Sequence, residues 1–321
     1  MKPFNSFMAD YFEQYIAYRR GLGYSEKILR YDLGRFDTYL LEKQAVFTDL
    51  SSMFFLQMKK DYKANRSTFN HLLRILRGLF AYLVRRQIIG HNPLTDIGAY
   101  RQNAYIPFLF SADQTEQLLV AIEKRIRKNP NDFLIDYGRS MAIVLMARCG
   151  LRISEPLRLK YDDYDTKRKT IYIQKTKFNK DRLIPLAQNA WQQLDNYLAV
   201  RNSFCVNSPY LIAGRRGGLR ANFIRKAFHQ AAADIGCVQK KHVIANTSFG
   251  RASCHSLRHS FAVNTLLRIK DREQSPQHAL PVLSSYMGHR KYRYTAVYLK
   301  VLDAKHRKNL VDFAISKQAE L

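Results

Sequence analysis

Residues 136–147 read Asp-Tyr-Gly-Arg-Ser-Met-Ala-Ile-Val-Leu-Met-Ala, and this apolar run sets the architecture of the longer part of the chain. Six successive residues from Met141 to Met146 carry no charged or hydroxyl group, so a helix here would be apolar on every side. Such a helix has to lie inside a core, and we expect it to be central to a second domain. Gly150 follows it closely and suits a helix C-terminus.

Around this helix the sequence predicts further helices and one small sheet. Ser111 with Gln114 three residues later forms a capping-box pattern at the start of a helix. Residues 170–174 alternate in the manner of a strand, 182–186 is predicted as a second strand, and 175–181 lies between them as a hairpin turn. A short helix is expected to begin near Ser154. Later helices are predicted at about 188–201, 221–235, 255–268, 279–287, 292–299 and 303–317.

The first hundred residues show helical spacing throughout. Apolar side chains recur every three or four positions, while Gly90 to Pro93 contain residues that stop helices. Four helices are predicted: about 8–20, one capped by Ser25, one from near Ser51, and one capped by Ser67. We therefore expect a mainly α protein, with a four-helix domain at 1–96, a linker at 97–110 and a mostly helical domain with a small antiparallel sheet at 111–321.

Composition points to a polyanionic partner. The 321 residues include 53 Lys and Arg against 26 Asp and Glu, a formal net charge of +27. A surplus of this size favours nucleic acid as the partner. No apolar run is long enough for a membrane span, and the beginning of the sequence has no apolar segment of the secretory type. The four cysteines are scattered, as expected for reduced thiols, so we predict a cytoplasmic, nucleoid-associated protein.

Three short motifs carry candidate chemistry. The first is residues 150–155, Gly-Leu-Arg-Ile-Ser-Glu, in which Arg152 follows a helix end and Glu155 could orient it. The second is His255-Ser-Leu-Arg258-His259, where His255 and Arg258 share a helix face. Because Ser256 follows the first histidine in place of a catalytic Glu, the His255 and His259 pair does not suit a zinc enzyme.

The third motif is Gly288-His289, followed nine residues later by Tyr298. Tyr292 and Tyr294 are close rivals for any role given to Tyr298. Each motif alone has little specificity, since a surface arginine or a packed tyrosine is the ordinary alternative. Their order along one chain is much more specific than the parts.

In that order the sequence resembles the tyrosine recombinases, the phage-integrase and Xer family. That family has an arginine in a Gly-Leu-Arg-x-Ser-Glu context, a lysine in a β-hairpin, His-x-x-Arg, then Gly-His with a tyrosine nine positions on. Residues 20–22, 67–68 and 92–93 resemble the family's helical core-binding (SAM-like) domain, so the likeness covers nearly the whole chain. It implies a site-specific recombinase that cuts and rejoins DNA through a 3′-phosphotyrosyl link.

The resemblance implies a role for each matched residue. Tyr298 would be the nucleophile, and His255 would serve as base or orienter. Arg152 and Arg258 would clamp the phosphate oxygens through forked donors, with His289 adding a hydrogen bond. A hairpin lysine would protonate the leaving oxygen. The lysine assigned to that role is Lys177, with Lys175 and Lys180 as alternatives, because residues 176–178 read Thr-Lys-Phe where the family often has Gly-Lys-Gly.

Cofactors and partners follow from the same likeness. With two arginines and a lysine to neutralise charge, no metal or other cofactor is expected. Double-stranded DNA is the predicted partner, held between the two domains. The chain is expected to act as a homotetramer on two DNA sites, with the helix at 303–317 packing on a neighbouring protomer rather than on its own domain. Candidate DNA-binding residues are Arg74, Arg77, Arg85, Arg86, Arg215, Arg216 and Arg220.

Some features leave the particular role open. Lys300 stands where the family often has a histidine, and 237–254 and 269–280 look longer than in compact members. These departures suggest a distinct branch, such as one carried by a mobile element. Two other functions are compatible with the motifs: a type IB topoisomerase-like nicking and resealing enzyme, and a DNA-binding accessory protein without catalysis.

Overall fold

The computed structural model describes residues 3–62, 65–174, 181–214, 217–289 and 292–306, with only the backbone described for 300–306. The chain forms two compact units, Met1–Asn103 and Ala104–Leu321. The described residues contain eleven α-helices and several short strands, so the expectation of a mainly α fold is confirmed. None of the helices in these ranges is long and apolar enough to cross a bilayer.

Four helices build the first unit. Their apolar stripes meet in one core that includes Phe12, Phe36, Phe55 and Leu76. The helices are α1 (Ala9–Gly21), α2 (Glu26–Glu42), α3 (Ser52–Asp61) and α4 (Arg66–Arg85).

The caps of these helices differ from the expectation at two positions. Asn65, not Ser67, begins α4, because the Asn65 side chain accepts a hydrogen bond from the Thr68 backbone at 2.9 Å. Ser25 occupies the N-cap position of α2 without a side-chain cap bond. Ser51, by contrast, caps α3 through the Phe54 amide.

The segment 97–110, expected to be a linker, is divided between the two units. Ile97 is buried in the first core, and Phe110 is buried in the second. The short strand β1 (Ala104–Ile106) pairs in parallel with a later strand of the second unit. The two ends of the segment are therefore buried, one in each core, and its middle pairs as a strand. The composition of the segment did not predict this.

The second unit is built around the apolar helix predicted from the sequence. Helix α6 (Phe133–Cys149) is buried along nearly all of its length, which confirms its central place. It packs in particular against the helices at Gln188–Ser203 and Cys254–Asp271. The other helices of this unit are α5 (Ala112–Lys124), α7 (Gln188–Ser203), α8 (Ala221–Asp234), α9 (Cys254–Asp271), α10 (Pro276–Tyr286) and α11 (Arg293–His306).

The described residues of the second unit also form three small sheets. The two predicted strands are present and pair, with β3 (Thr170–Ile173) antiparallel to β4 (Arg182–Pro185), and β2 (Tyr164–Asp165) pairs with β3 at the edge. The turn predicted at 175–181 lies outside the described residues except for Asp181. Strands that the sequence did not predict form the other two sheets. Besides β1, their strands are β5 (Ala213–Gly214), β6 (Gly217–Gly218), β7 (His242–Ile244) and β8 (Thr247–Phe249). One sheet has the order β1-β8-β7, and the other is the antiparallel pair of β5 and β6.

Two helix predictions in this unit were wrong. The chain after Gly150 makes turns instead of a helix near Ser154, and the Glu155 side chain there accepts a hydrogen bond from the Arg152 backbone at 2.8 Å. The helices expected at 292–299 and 303–317 are one continuous helix as far as His306, since 299–303 contains neither Gly nor Pro to end it. Residues 307–317 lie outside the described ranges.

Candidate active site

Helix α9 carries three of the candidate side chains on adjacent positions of one face. Ser253 caps the helix and forms a reciprocal pair of hydrogen bonds with Ser256, which fixes where the first turn begins. His255, Arg258 and His259 then follow at spacings of three and four residues, which share a helix face. The capped start therefore aims these three side chains in one direction.

Arg258 lies almost entirely inside the protein. Its side chain is among the largest that are fully buried, and it donates to the carbonyl of Gly150 at 2.6 Å and to that of Met287. Burial lowers the pKa of this guanidinium, and the positive charge of Arg152 lowers it further. The buried positive charge of Arg258 favours the binding of an anion beside it.

Arg152 and Arg182 share one buried carboxylate. Arg152 donates to Glu155 at 2.9 Å, and Arg182 donates to both Glu155 oxygens at 3.1 and 2.9 Å. Burial alone would raise the pKa of Glu155, but hydrogen bonds from Arg182 and the nearby charges hold that pKa below its ordinary value. Glu155 thus stays ionised and fixes both guanidinium groups.

The three guanidinium groups converge on the C-terminus of α10. Arg182 donates to the carbonyl of Tyr286, Arg258 to that of Met287, and Arg152 to that of Gly288. The last carbonyls of a helix lack partners within the helix and carry partial negative charge, so cations are favoured there. This helix end gathers arginines from distant parts of the chain.

Two glycines make this close approach possible. Gly150 and Gly288 both have left-handed backbone angles, with φ of 61° and 60°. A β-carbon at Gly150 would lie 2.5 Å from the Phe261 ring, and one at Gly288 would lie 3.1 Å from the Arg182 guanidinium. Other residues would therefore be strained and crowded at either turn.

Tyr298 lies on α11 with its ring buried, 4% exposed. It packs in a small apolar cluster with Val263, Leu266, Leu283 and Met287. Burial raises the pKa of the Tyr298 phenol, while the charges of Arg258 and Arg152 act in the opposite direction. The hydroxyl therefore lies within the electrostatic reach of both guanidinium groups.

His289 approaches the same tyrosine from the turn before α11. Its ring lies 6.3 Å from the Tyr298 ring, centroid to centroid, and its Nδ1 is 2.8 Å from the hydroxyl of the fully buried Thr295. Burial lowers the pKa of His289 to about 4, with Arg258 and Arg152 contributing. The ring is thus neutral near pH 7.

The Tyr298 hydroxyl has a partner that sequence reasoning missed. Nδ1 of His259 is 3.0 Å from that hydroxyl. The rings of His255 and His259 meet edge to face, with centroids 4.5 Å apart. The sequence pattern presented His259 only as a possible zinc ligand, yet its position four residues after His255 and next to Arg258 was the signal that it joins the cluster.

His255 contacts the His259 ring and is exposed to solvent. Its neighbours nevertheless remove enough water to lower its pKa, and Arg258 and Arg152 lower it further. Within the described ranges, no group of three or more His, Cys, Asp or Glu side chains could hold a metal ion.

The structure thus brings together five of the six predicted catalytic residues: Arg152, His255, Arg258, His289 and Tyr298. Lys177 and its alternatives Lys175 and Lys180 lie outside the described residues. The strand that follows them begins at Arg182, a residue that the motifs did not single out. Its signal was its place at the start of a predicted strand.

The rival tyrosines occupy different surroundings. Tyr292 and Tyr294 are about half exposed, whereas Tyr298 is buried against the cluster. The ring of Tyr294 lies 6.4 Å from that of His289, so Tyr294 borders the site. Only Tyr298, among these three, has its hydroxyl paired with His259 in the described structure.

The candidate DNA-binding arginines differ in their exposure to solvent and in their hydrogen bonds. Arg74, Arg85 and Arg86 are exposed on α4 or at its end, and Arg220 is exposed where α8 begins. Arg77 is half-buried and donates to the carbonyls of Leu94 and Ile97, so it holds the chain that follows α4. Arg215 and Arg216 lie outside the described residues.

Comparison with known proteins identifies the family of the chain. Residues 109–305 match the model of the phage integrase family. The chain therefore belongs to that family, the tyrosine recombinases.

Relatives match over most of the chain. A protein of Sinorhizobium fredii named as an integrase/recombinase, y4rB, is 29% identical over 299 residues, covering 89% of this chain and 90% of the relative. The tyrosine recombinase XerC of Haemophilus ducreyi is 30% identical over 243 residues, covering 75% and 70%.

Solved structures show the same fold. The XerH site-specific recombinase bound to a palindromic difH substrate, a post-cleavage complex, aligns with a TM-score of 0.66 at 20% identity, covering 88% of this chain and 78% of that one. A lambda integrase tetramer bound to a Holliday junction aligns with a TM-score of 0.63 at 15% identity, covering 89% and 78%.

Proposed function

We propose that this protein is a site-specific DNA recombinase that cuts and rejoins DNA through a 3′-phosphotyrosyl intermediate. The observation that carries the proposal is that the Tyr298 phenol lies among His255, His259 and His289, within electrostatic reach of the guanidinium groups of Arg152 and Arg258. In the phage integrase family, this is the site at which a tyrosine attacks phosphorus. The net charge of +27 supports a polyanionic substrate.

Tyr298 supplies the attacking oxygen. A bond forms between that oxygen and phosphorus, the bond from phosphorus to the 5′-oxygen breaks, and the energy is kept in the new phosphodiester. A phenol with a pKa near 10 is about one part in a thousand ionised at pH 7. Burial makes ionisation harder still, so the nearby guanidinium charges are needed to stabilise the developing phenolate.

Arg152 and Arg258 stabilise the negative charge that grows on the non-bridging oxygens. Both groups are already held in place, Arg152 by Glu155 and Arg258 by backbone carbonyls, so little reorganisation is needed when phosphate arrives. His255 is neutral enough to accept a proton or orient the reacting groups, and His289 adds a hydrogen bond. Lys177 is the proposed acid for the leaving 5′-oxygen.

DNA binding and assembly form part of the same proposal. Arg74, Arg85 and Arg86 of the first unit and Arg220 of the second unit are proposed to lie near DNA phosphates. We propose a tetramer on two DNA sites, with the segment 303–317 packing on a neighbouring protomer. Neighbouring structures include DNA-bound dimers and a tetramer on a Holliday junction, which supports this assembly. DNA as substrate would place the protein with the nucleoid.

A covalent adduct tests the proposal. The purified protein is incubated with fragmented genomic DNA, and DNA ends that survive denaturation on the protein are sequenced to define a site. A nicked duplex carrying that site, from which the cut strand diffuses away, then traps the intermediate. We expect wild type to form the adduct and Tyr298→Phe to form none while binding the duplex normally.

The same assay separates the rivals. Failure of wild type to form any adduct while it binds DNA would favour an accessory DNA-binding protein. Relaxation of supercoils by dilute monomer, without joining of two sites, would favour a type IB topoisomerase-like enzyme. An adduct that persists in Tyr298→Phe would refute Tyr298 as nucleophile, with Tyr292 and Tyr294 next to be tested.

A further inference from the structure

The contact between His259 and Tyr298 joins two helices at the reacting oxygen. His259 lies on α9 and Tyr298 on α11, 39 residues apart, and Nδ1 of the imidazole is 3.0 Å from the phenol hydroxyl. The rings meet at 61° with centroids 5.7 Å apart. His255, the histidine of the His-x-x-Arg motif, contacts the His259 ring.

The charges around the hydroxyl set the direction of this hydrogen bond. Arg258 and Arg152 exert positive potential on the phenol oxygen, so the oxygen lone pairs are favoured to point toward these two arginines. The hydroxyl hydrogen is then favoured to point away from the arginines, toward a neutral hydrogen-bond acceptor. Burial and the neighbours His255, Arg258 and His289 lower the pKa of His259 to about 3, which keeps the ring neutral and able to accept.

We propose that His259 is a positioning residue for the nucleophile: its Nδ1 accepts the hydrogen bond of the Tyr298 hydroxyl and aims the phenol oxygen at the phosphate. This inference rests on the proposed function. The contact fixes a torsion that is otherwise free, so the oxygen presents its lone pairs toward the guanidinium groups that bind phosphate. Misplacement of a reacting atom by about 1 Å can cost about a hundredfold in rate.

Three substitutions at position 259 separate the hydrogen bond from the packing of the ring. Phe keeps an aromatic ring and removes the acceptor. Asn places its amide oxygen near the position of the imidazole Nδ1, whereas the longer Gln places it near the position of Nε2. His278→Asn is the matched control, since His278 is an exposed histidine of the same unit.

The readout is the single-turnover rate of adduct formation on the nicked duplex, together with the dissociation constant for that duplex. We expect His259→Phe and His259→Gln to slow the adduct by about ten- to a hundredfold, and His259→Asn to stay within about tenfold of wild type. DNA affinity should stay within about twofold in every variant. If the Phe variant does not fold, the Asn and Gln pair decides alone.

Each other result counts against the idea. Unchanged or faster rates in the Phe and Gln variants would overturn it, because the contact would then be idle or would restrain the tyrosine. Equal losses in Asn, Gln and Phe would mean that the ring matters only for packing. A wild-type protein that binds DNA but makes no adduct would overturn the proposed function itself, and this inference with it.

Discussion

The Glu155 carboxylate is bound by Arg182 through two parallel hydrogen bonds, at 3.1 and 2.9 Å, and both side chains are nearly inaccessible to solvent. A paired arrangement of this kind fixes geometry as well as charge. Because Arg152 bonds the same carboxylate, this ion pair links the start of β4 to an arginine proposed to bind phosphate.

Removal of the Glu155 charge should destabilise the catalytic unit. Glu155→Gln leaves two guanidinium groups without their buried counter-ion, and breaking a buried pair in this way costs about 3–5 kcal/mol. The measurement is urea unfolding, with Glu116→Gln as control. Glu116 is 57% exposed and pairs with Arg148, so its loss should cost less than about 1 kcal/mol. Equal effects at both positions would contradict the special role of Glu155.

A charge-conserving change at Arg152 should slow cleavage. Arg152→Lys keeps one positive charge but loses the fork that bonds Glu155 and phosphate together. We expect the adduct rate to fall by about 10²–10³-fold, as for the loss of one preorganised donor. Arg158→Lys, at an exposed position of the same turn, should change the rate only a few-fold. A wild-type rate in Arg152→Lys would remove Arg152 from the mechanism.

The exposed arginines of the four-helix unit should contribute to the salt dependence of DNA binding. Each phosphate that the protein no longer neutralises should reduce the slope of log affinity against log salt by about 0.9. We expect a reduced slope for Arg74→Ala, Arg85→Ala and Arg86→Ala combined, measured by fluorescence anisotropy. Lys43→Ala is the control, since Lys43 is engaged with Asp61. An unchanged slope in the triple variant would place DNA elsewhere.

Arg77 should behave differently from those three. It bonds the carbonyls of Leu94 and Ile97, so Arg77→Ala would deprive both carbonyls of a donor and lower the stability of the first unit by about 1–3 kcal/mol. Thermal unfolding of this variant checks the prediction. A stable variant with weakened DNA binding would instead favour direct contact with phosphate.

The histidine cluster should make the fold sensitive to acid. An unfolded histidine takes up a proton near pH 6.5, whereas burial holds the pKa of His259 at about 3 and that of His289 at about 4. Between those values the unfolded chain binds more protons, so this contribution is complete above pH 6.5 and is lost as the pH falls toward the folded values.

We expect each of these histidines to remove on the order of 1 kcal/mol of unfolding free energy between pH 7 and pH 5. Urea unfolding at both pH values measures the loss. His289→Asn, which cannot titrate, should show a smaller loss than wild type, while His278→Asn should match wild type. An identical pH dependence in all three proteins would contradict the assignment.

The sequence predicts helix caps and strands correctly where residues close together in the sequence determine them. Ser111 and Gln114 form the predicted capping box, with both hydrogen bonds at 3.0 Å. Two strands joined by a hairpin turn were predicted at 170–174 and 182–186, and an antiparallel pair is present at 170–173 and 182–185. The prediction that Ser67 caps α4 was wrong, because Asn65, two residues earlier, accepts the hydrogen bond of the Thr68 backbone.

The sequence by itself determined the helical character of both units, the central place of α6 and the set of motif residues that belong together. These follow from periodicity, apolar content and order along the chain, which are properties of single segments. Only the tertiary structure decided that His259 meets the Tyr298 hydroxyl and that Arg182 shares the Glu155 carboxylate. Those contacts join segments 39 and 27 residues apart, and they depend on how whole helices and strands pack, which no local pattern encodes.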